Sequence, residues 1–210
     1  KPQRYLNQAG QEMNLPITTT DWQDNPAPNR PVTVTISQVD WTWGINQYGN
    51  DGWASQLTTV ATITTKTGSD GQISLPFTPP TAGEYQVTAV AADADGRLDT
   101  ARPATFYAIG QGYVGYPLDK FSLSLAFDQE EYVPGDTARL LIQSDLSEPT
   151  LAWLTIEQGP RLEQQLITLN EASQVLEIPV TADYAPEVEI TVTAVQGTNG
   201  GARVAAMRQG

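Results

Sequence analysis

Three carboxylates fall within seven residues in Asp93-Ala94-Asp95-Gly96-Arg97-Leu98-Asp99. Oxygen ligands at alternate positions can wrap a hard cation such as calcium. The run lacks the longer Asp/Asn alternation and the closing bidentate Glu of an EF-hand, so it reads as a solvated hairpin turn. A second acidic group, Asp128, Glu130, Glu131 and Asp136, offers the paired carboxylates that glycosidases use. No cleft is visible around it in the sequence, and an acidic sandwich edge that deters strand pairing is the simpler reading. Trp41, Trp43 and Tyr48 are candidates for a sugar-stacking platform, and four of the five tryptophans (Trp22, Trp41, Trp43, Trp53) lie in the first half. Aromatics of this kind more often fill a core or pin a long loop, which is the reading preferred for them.

The chain contains neither cysteine nor histidine. Disulfides, thiol nucleophiles, zinc fingers and every histidine-based catalytic arrangement are thereby excluded. No Gly-x-Ser-x-Gly elbow or Gly-x-x-x-x-Gly-Lys phosphate loop is present. The expectation is a non-enzyme with no catalytic, cofactor-binding or metal-binding residues and no cofactor. Net charge is −13, with ten acids and six bases up to residue 117 and fourteen acids and five bases after it. Without a basic patch, nucleic-acid binding is disfavoured. No apolar run approaches the ~18 residues of a membrane span. Lys1-Pro-Gln-Arg-Tyr5 shows no signal-peptide pattern, and the chain is expected to start inside a larger protein.

The elements that would position these residues are strands. Val32, Val34 and Ile36 alternate with threonines, and Val39, Trp41 and Trp43 resume the alternation one residue out of phase, which predicts a bulge or short break between them. Gly44–Gly52 reads as a polar connection, and Gln56–Thr65 as the next strand. Further short strands follow every 8–12 residues, separated by Gly, Pro and Asp, with no helical period. This pattern predicts an all-β chain of two tandem antiparallel β-sandwiches, of fibronectin- or immunoglobulin-like architecture. The expected division is a sandwich over 1–112, a Gly-rich linker over 113–118 and a second sandwich over 119–210. The second strand set is Phe121–Phe127, Ala138–Gln143, Leu151–Glu157, Gln164–Leu169, Gln174–Val180, Val188–Val195 and Ala202–Met207. The halves read as diverged copies. Ser74-Leu-Pro-Phe-Thr-Pro-Pro80 parallels Glu177-Ile-Pro-Val-Thr-Ala-Asp183, Val87-Thr-Ala-Val90 recurs as Val192-Thr-Ala-Val195, and Ala9-Gly-Gln-Glu12 occupies the place of Pro134-Gly-Asp-Thr137.

Tyr132-Val-Pro-Gly-Asp136 is turn chemistry opening a strand, and Ile178-Pro-Val-Thr-Ala-Asp183-Tyr-Ala-Pro186 precedes a late strand. In these two motifs the chain resembles the macroglobulin-type domains of the α2-macroglobulin family, its bacterial members above all. The likeness covers most of 119–210 and extends more loosely over 1–117, whose opening Gln8-Ala-Gly-Gln departs from the motif. It implies the fourth and fifth such domains of a protease-trapping inhibitor, structural parts of a cage near its bait region. The family's Cys-Gly-Glu-Gln thioester cannot lie in a chain without cysteine, and the bait region is expected outside the fragment, with only Ala202–Gly210 leading toward it. The implied partners are neighbouring domains of the same parent chain and, through the bait region, proteases. An extracytoplasmic location is implied, periplasmic, cell-surface or secreted, with a membrane anchor open for the parent. The alternative is a tandem stalk or carbohydrate-binding module of a bacterial surface adhesin. On either reading the purified chain should hydrolyse neither peptides nor glycosides; turnover of a chromogenic peptide or glycoside would overturn the non-catalytic assignment.

Overall fold

Side-chain alternation decides where each strand of this chain packs. The computed structural model describes residues 6–45, 49, 51–93, 95–110, 122–144, 149–198 and 201–209, with backbone alone for 196–198 and 201–209. The chain divides into two compact units, Lys1–Gly110 and Gln111–Gly210. The expected linker 113–118 lies outside the described residues.

The first unit contains β1 (Leu6–Gln8), β2 (Met13–Thr18), β3 (Pro31–Ile45), β4 (Asp51–Lys66), β5 (Gln72–Phe77), β6 (Gly83–Ala92), β7 (Leu98–Thr100) and β8 (Ala104–Ile109). One sheet has the order β1-β8-β6-β3-β4, with β7 on β6; the other pairs β2 with β5. Met13, Leu15 and Ile17 of β2 and Leu75 and Phe77 of β5 meet Val32, Val34, Ile36, Val87 and Phe106 of the larger sheet in one core. Tyr85 is fully buried there and stacks on Phe106 with centroids 5.2 Å apart and planes at 7°. Its hydroxyl donates to the Thr81 carbonyl (2.9 Å), the tyrosine-corner contact of sandwich folds. At the other end the Arg30 N–H donates to Thr67 Oγ1 (3.0 Å), which lies 3.0 Å from Thr19 Oγ1, and Thr19 donates to the Ala27 carbonyl (2.6 Å). This chain of bonds satisfies two buried hydroxyls and anchors the Pro-rich loop before β3.

The second unit contains β9 (Leu123–Phe127), β10 (Thr137–Ser144), β11 (Thr150–Gln158), β12 (Arg161–Leu169), β13 (Ser173–Pro179), β14 (Glu189–Thr198) and β15 (Gly201–Gln209). Its sheets run β13-β10-β9 and β12-β11-β14-β15. Leu123, Leu125, Leu140, Ile142, Leu154, Ile156, Ile178, Ile190 and Val192 fill the space between them.

The repeated tetrapeptide Val-Thr-Ala-Val falls on corresponding strands, β6 and β14, and the two Pro-containing segments on β5 and β13. The halves differ at their first strand. β9 pairs antiparallel with β10, whereas β1 leaves that position and pairs parallel with β8, Leu6 opposite Tyr107.

Gly71 has φ +75°, and a Cβ there would lie 2.8 Å from the Thr19 carbonyl oxygen. Gly96 has φ +80° with nothing within 4 Å. Gly96→Ala should therefore cost only the backbone term, about 1 kcal/mol. Gly71→Ala should cost about 2 kcal/mol or more because the bonded turn must also move. Urea denaturation of the two variants side by side measures the difference.

Candidate functional site

β3 and β4 form one long hairpin, and β6 pairs with only part of it, Val32–Val39. Residues 40–45 and 51–56 therefore run on as a two-stranded ribbon, about 20 Å long at the usual rise per residue. The pairing with β4 shifts between Ile36 and Ser37, where Val60 is the extra residue. The predicted bulge is thus present, but it belongs to β4, while β3 keeps its register with β6 throughout. Side chains of β3 consequently alternate without a break. Val32, Val34 and Ile36 face the core, and Val39, Trp41, Trp43 and Ile45 face the other side of the sheet.

The same register puts Leu57, Ser55, Trp53 and Asp51 opposite those four residues on that face. The reverse face pairs Asp40 with Gln56, Thr42 with Ala54 and Gly44 with Gly52. The ribbon thus has one aromatic face and one small or polar face. This corrects the core part of the reading of Trp41 and Trp43: neither belongs to the core, and Trp43 is 64% exposed. The Trp41 indole N–H donates to Glu84 Oε2 (3.0 Å). Trp43 meets Trp53 edge to face, centroids 5.6 Å apart and planes at 85°. A flat platform needs coplanar rings, and this pair makes a corner instead. Tyr48 lies outside the described residues.

The acidic group of the second unit also differs from expectation. Asp128 does not sit on a solvated edge; it is 1% exposed. Its Oδ1 accepts from the Tyr132 hydroxyl (2.7 Å) and the Arg139 N–H (2.9 Å), and the Gln129 N–H donates to the Tyr132 oxygen (3.1 Å). Asp136 accepts from the Val133 N–H (2.9 Å) through its side chain and from the Val180 N–H (2.9 Å) through its carbonyl. The Gly135 N–H donates to the Val180 carbonyl (2.9 Å). The Tyr132–Asp136 motif is thus a lock between the turn, β9, β10 and the end of β13. Its carboxylates are committed to backbone and phenol donors, an arrangement that stabilises a corner.

The second motif forms a 3-10 turn over Ala182–Tyr184. Arg161 of β12 lies 2.7 Å from Glu163 and 2.7 Å from Asp183, with its guanidinium 5.9 Å from the Tyr184 ring centre. Tyr184 donates to Glu163 Oε2 (3.1 Å), and the Gln158 amide donates to the Ala185 carbonyl. These contacts hold the turn against the β12 edge.

Asp93 caps its own turn, accepting from the N–H groups of Asp95 and Arg97, each at 2.8 Å. Arg97 is the cation beside these carboxylates, 3.9 Å from Asp93 and 3.6 Å from Asp95. Among the described residues no group of three or more acidic side chains is placed to hold a metal ion. β15 pairs with β14 over Gly201–Gln209, so the segment expected to lead toward a bait region is strand for most of its length.

Residues 123–209 match the family model of the alpha-2-macroglobulin bait region domain. The alpha-2-macroglobulin homolog of Deinococcus radiodurans is 32% identical over 126 residues, which are 60% of this chain and 12% of that protein. The homolog from Nostoc sp. is 26% identical over 130 residues, 62% of this chain and 7% of that protein. The structure of E. coli alpha-2-macroglobulin in its native conformation is similar over 97% of this chain and 13% of its own, with 16% identity and a TM-score of 0.41. The chain thus spans a small part of the length of the relatives it matches. The domain named for the bait region coincides with the second unit.

Burial and the bond to Asp128 push the Tyr132 phenol above its ordinary value of 10. The fold therefore favours the neutral phenol, and the unfolded chain gives up this proton first as the pH rises. The contribution is fully present below pH 10 and declines above it. Urea midpoints of the second unit, measured between about pH 9 and about pH 11, should fall for the native sequence and fall less for Tyr132→Phe.

Proposed function

We propose, for a chain that belongs to the alpha-2-macroglobulin family, that its two units are non-catalytic structural domains of a broad-spectrum protease-trapping inhibitor. The match of residues 123–209 to the bait region domain carries this reading. The chemistry of the second unit supports it. Tyr132, Asp128 and Asp136 close one corner, and Arg161, Glu163, Asp183 and Tyr184 close another. Every carboxylate of the two motifs thus has an internal structural partner. Such a unit offers a stiff wall, which is what a cage around a protease requires.

The division into a sandwich over 1–112, a linker over 113–118 and a sandwich over 119–210 belongs to this reading. So does the placing of the cleavable bait segment in the parent, outside these residues. The units' neighbours are other domains of the parent chain, proteases are met through the bait segment, and the compartment is extracytoplasmic. Among the described residues no helix is long and apolar enough to cross a membrane.

A cage excludes large substrates and admits small ones. The parent protein, incubated with trypsin, should be cut in one stretch and retain the protease. The retained trypsin should then lose activity on casein while keeping activity on a small chromogenic peptide. Degradation of the parent throughout its length, with casein hydrolysis unchanged, would overturn the reading. The 210-residue chain alone should leave trypsin active on both substrates.

A further inference from the structure

Among the described residues, several edge strands carry a device that protects them. β2 and β5 carry Pro16 and Pro76, β12 carries Arg161 and Glu163, and β13 carries Glu177 and Pro179. β1 and β9 are short, three and five residues. Charges, prolines and shortness are the usual means by which a sheet edge avoids pairing with another chain. β4 carries charge only at its two ends, Asp51 and Lys66. It is sixteen residues long, ends its sheet, and holds neither a charge nor a proline from Gly52 to Thr65. Among the described residues no strand pairs with its outer edge.

Two further features single out the outer half of this strand. The Val60 bulge interrupts the edge near its middle, leaving Asp51–Thr59 as a regular stretch of nine residues. In an antiparallel pair alternate residues turn N–H and C=O outward, so this stretch offers about four residues' worth of unpaired donors and acceptors. Beside it lies the aromatic face of the ribbon, where Trp53 and Leu57 of β4 adjoin Trp43 and Ile45 of β3. Trp43, Ile45 and Leu57 are each half exposed or more.

We propose that the outer edge of β4 over Asp51–Thr59 is a strand-addition site that takes an extended segment of another polypeptide. A row of alternating backbone donors and acceptors is satisfied only by another extended backbone, which selects the class of ligand. Side chains at alternate positions of the added strand fall on the Trp53/Leu57 face and extend it, so β-branched or aromatic residues are favoured there. The ribbon carries Asp40 and Asp51 and no cation between residues 39 and 59, which favours a neutral segment with basic flanks. A second copy of this chain, at net charge −13, would bring like charge instead. The site is independent of the protease-trapping reading and stands or falls on its own test.

The probe is a fluorescein-labelled nonapeptide with a lysine at each end and alternating threonine and valine between them. A second peptide is identical but N-methylated at alternate residues, which removes backbone donors and keeps charge and side chains. The 210-residue chain should bind the first saturably in an anisotropy titration and slow hydrogen exchange of its own residues 51–59. N-methylation should weaken binding about tenfold or more, the loss expected when several backbone bonds fail. Leu57→Ser, at a half-exposed position, should weaken it several-fold, and Trp22→Ser, in a different loop, should leave it unchanged; melting curves confirm that each variant folds. Equal binding of the two peptides would overturn the proposal, because the edge would not be in use. Absence of saturable binding up to about millimolar peptide would overturn it too. So would dimerisation of the chain with residues 51–59 protected, which would make a second copy the occupant.

Discussion

The strict two-residue alternation of a β-strand is the constraint from which most of this structure follows. β3 obeys it over fifteen residues, but its apolar residues change parity between Ile36 and Val39. A strand cannot rotate its side chains to suit such a change, so one half of β3 must present its apolar residues to the core and the other half to the opposite side. The partner strand absorbs the irregularity with one extra residue at Val60. The outcome is a hairpin whose base is core and whose outer half, beyond the reach of β6, has one aromatic face.

Corners show a second regularity. A sandwich leaves backbone groups unpaired wherever the chain passes from one sheet to the other, and each unit closes such a place with a tyrosine hydroxyl. Tyr85 donates to a carbonyl four residues upstream, and Tyr132 donates to the carboxylate of Asp128, likewise four residues upstream. The difference matters energetically. A buried carboxylate accepting two donors on one oxygen gives a stronger corner than a neutral pair, and losing one donor leaves a buried carboxylate with only part of its compensation. The residues that make the second motif recognisable in the sequence are those that build this corner, which is why the motif marks a fold and carries no chemistry of its own.

Much of this was legible from residue order. The seven strands of the second unit lie where alternation and turn residues placed them, and the equivalence of β6 with β14 was visible in a shared tetrapeptide. The acidic group was misread because Asp128, Glu130 and Glu131 are close in sequence, whereas burial of Asp128 depends on Tyr132 folding back and on Arg139 arriving from the next strand. The tryptophans were misread for a related reason: aromatic content signals burial on average, but only the extent of β6 decides where the core ends along β3.

The sequence by itself determined the strand period, the turns, the absence of thiol and imidazole chemistry, and the likeness carried by the Tyr132–Asp136 and Ile178–Pro186 motifs. All of these are local properties, set by neighbouring side chains and backbone preferences. Tertiary structure alone decided that β1 joins β8 in parallel, that Asp128 is buried, that β6 stops short of the end of β3 and that Trp43 faces outward. Each depends on which distant strand covers a given face or edge, and alternation specifies two faces without saying which of them will find a partner.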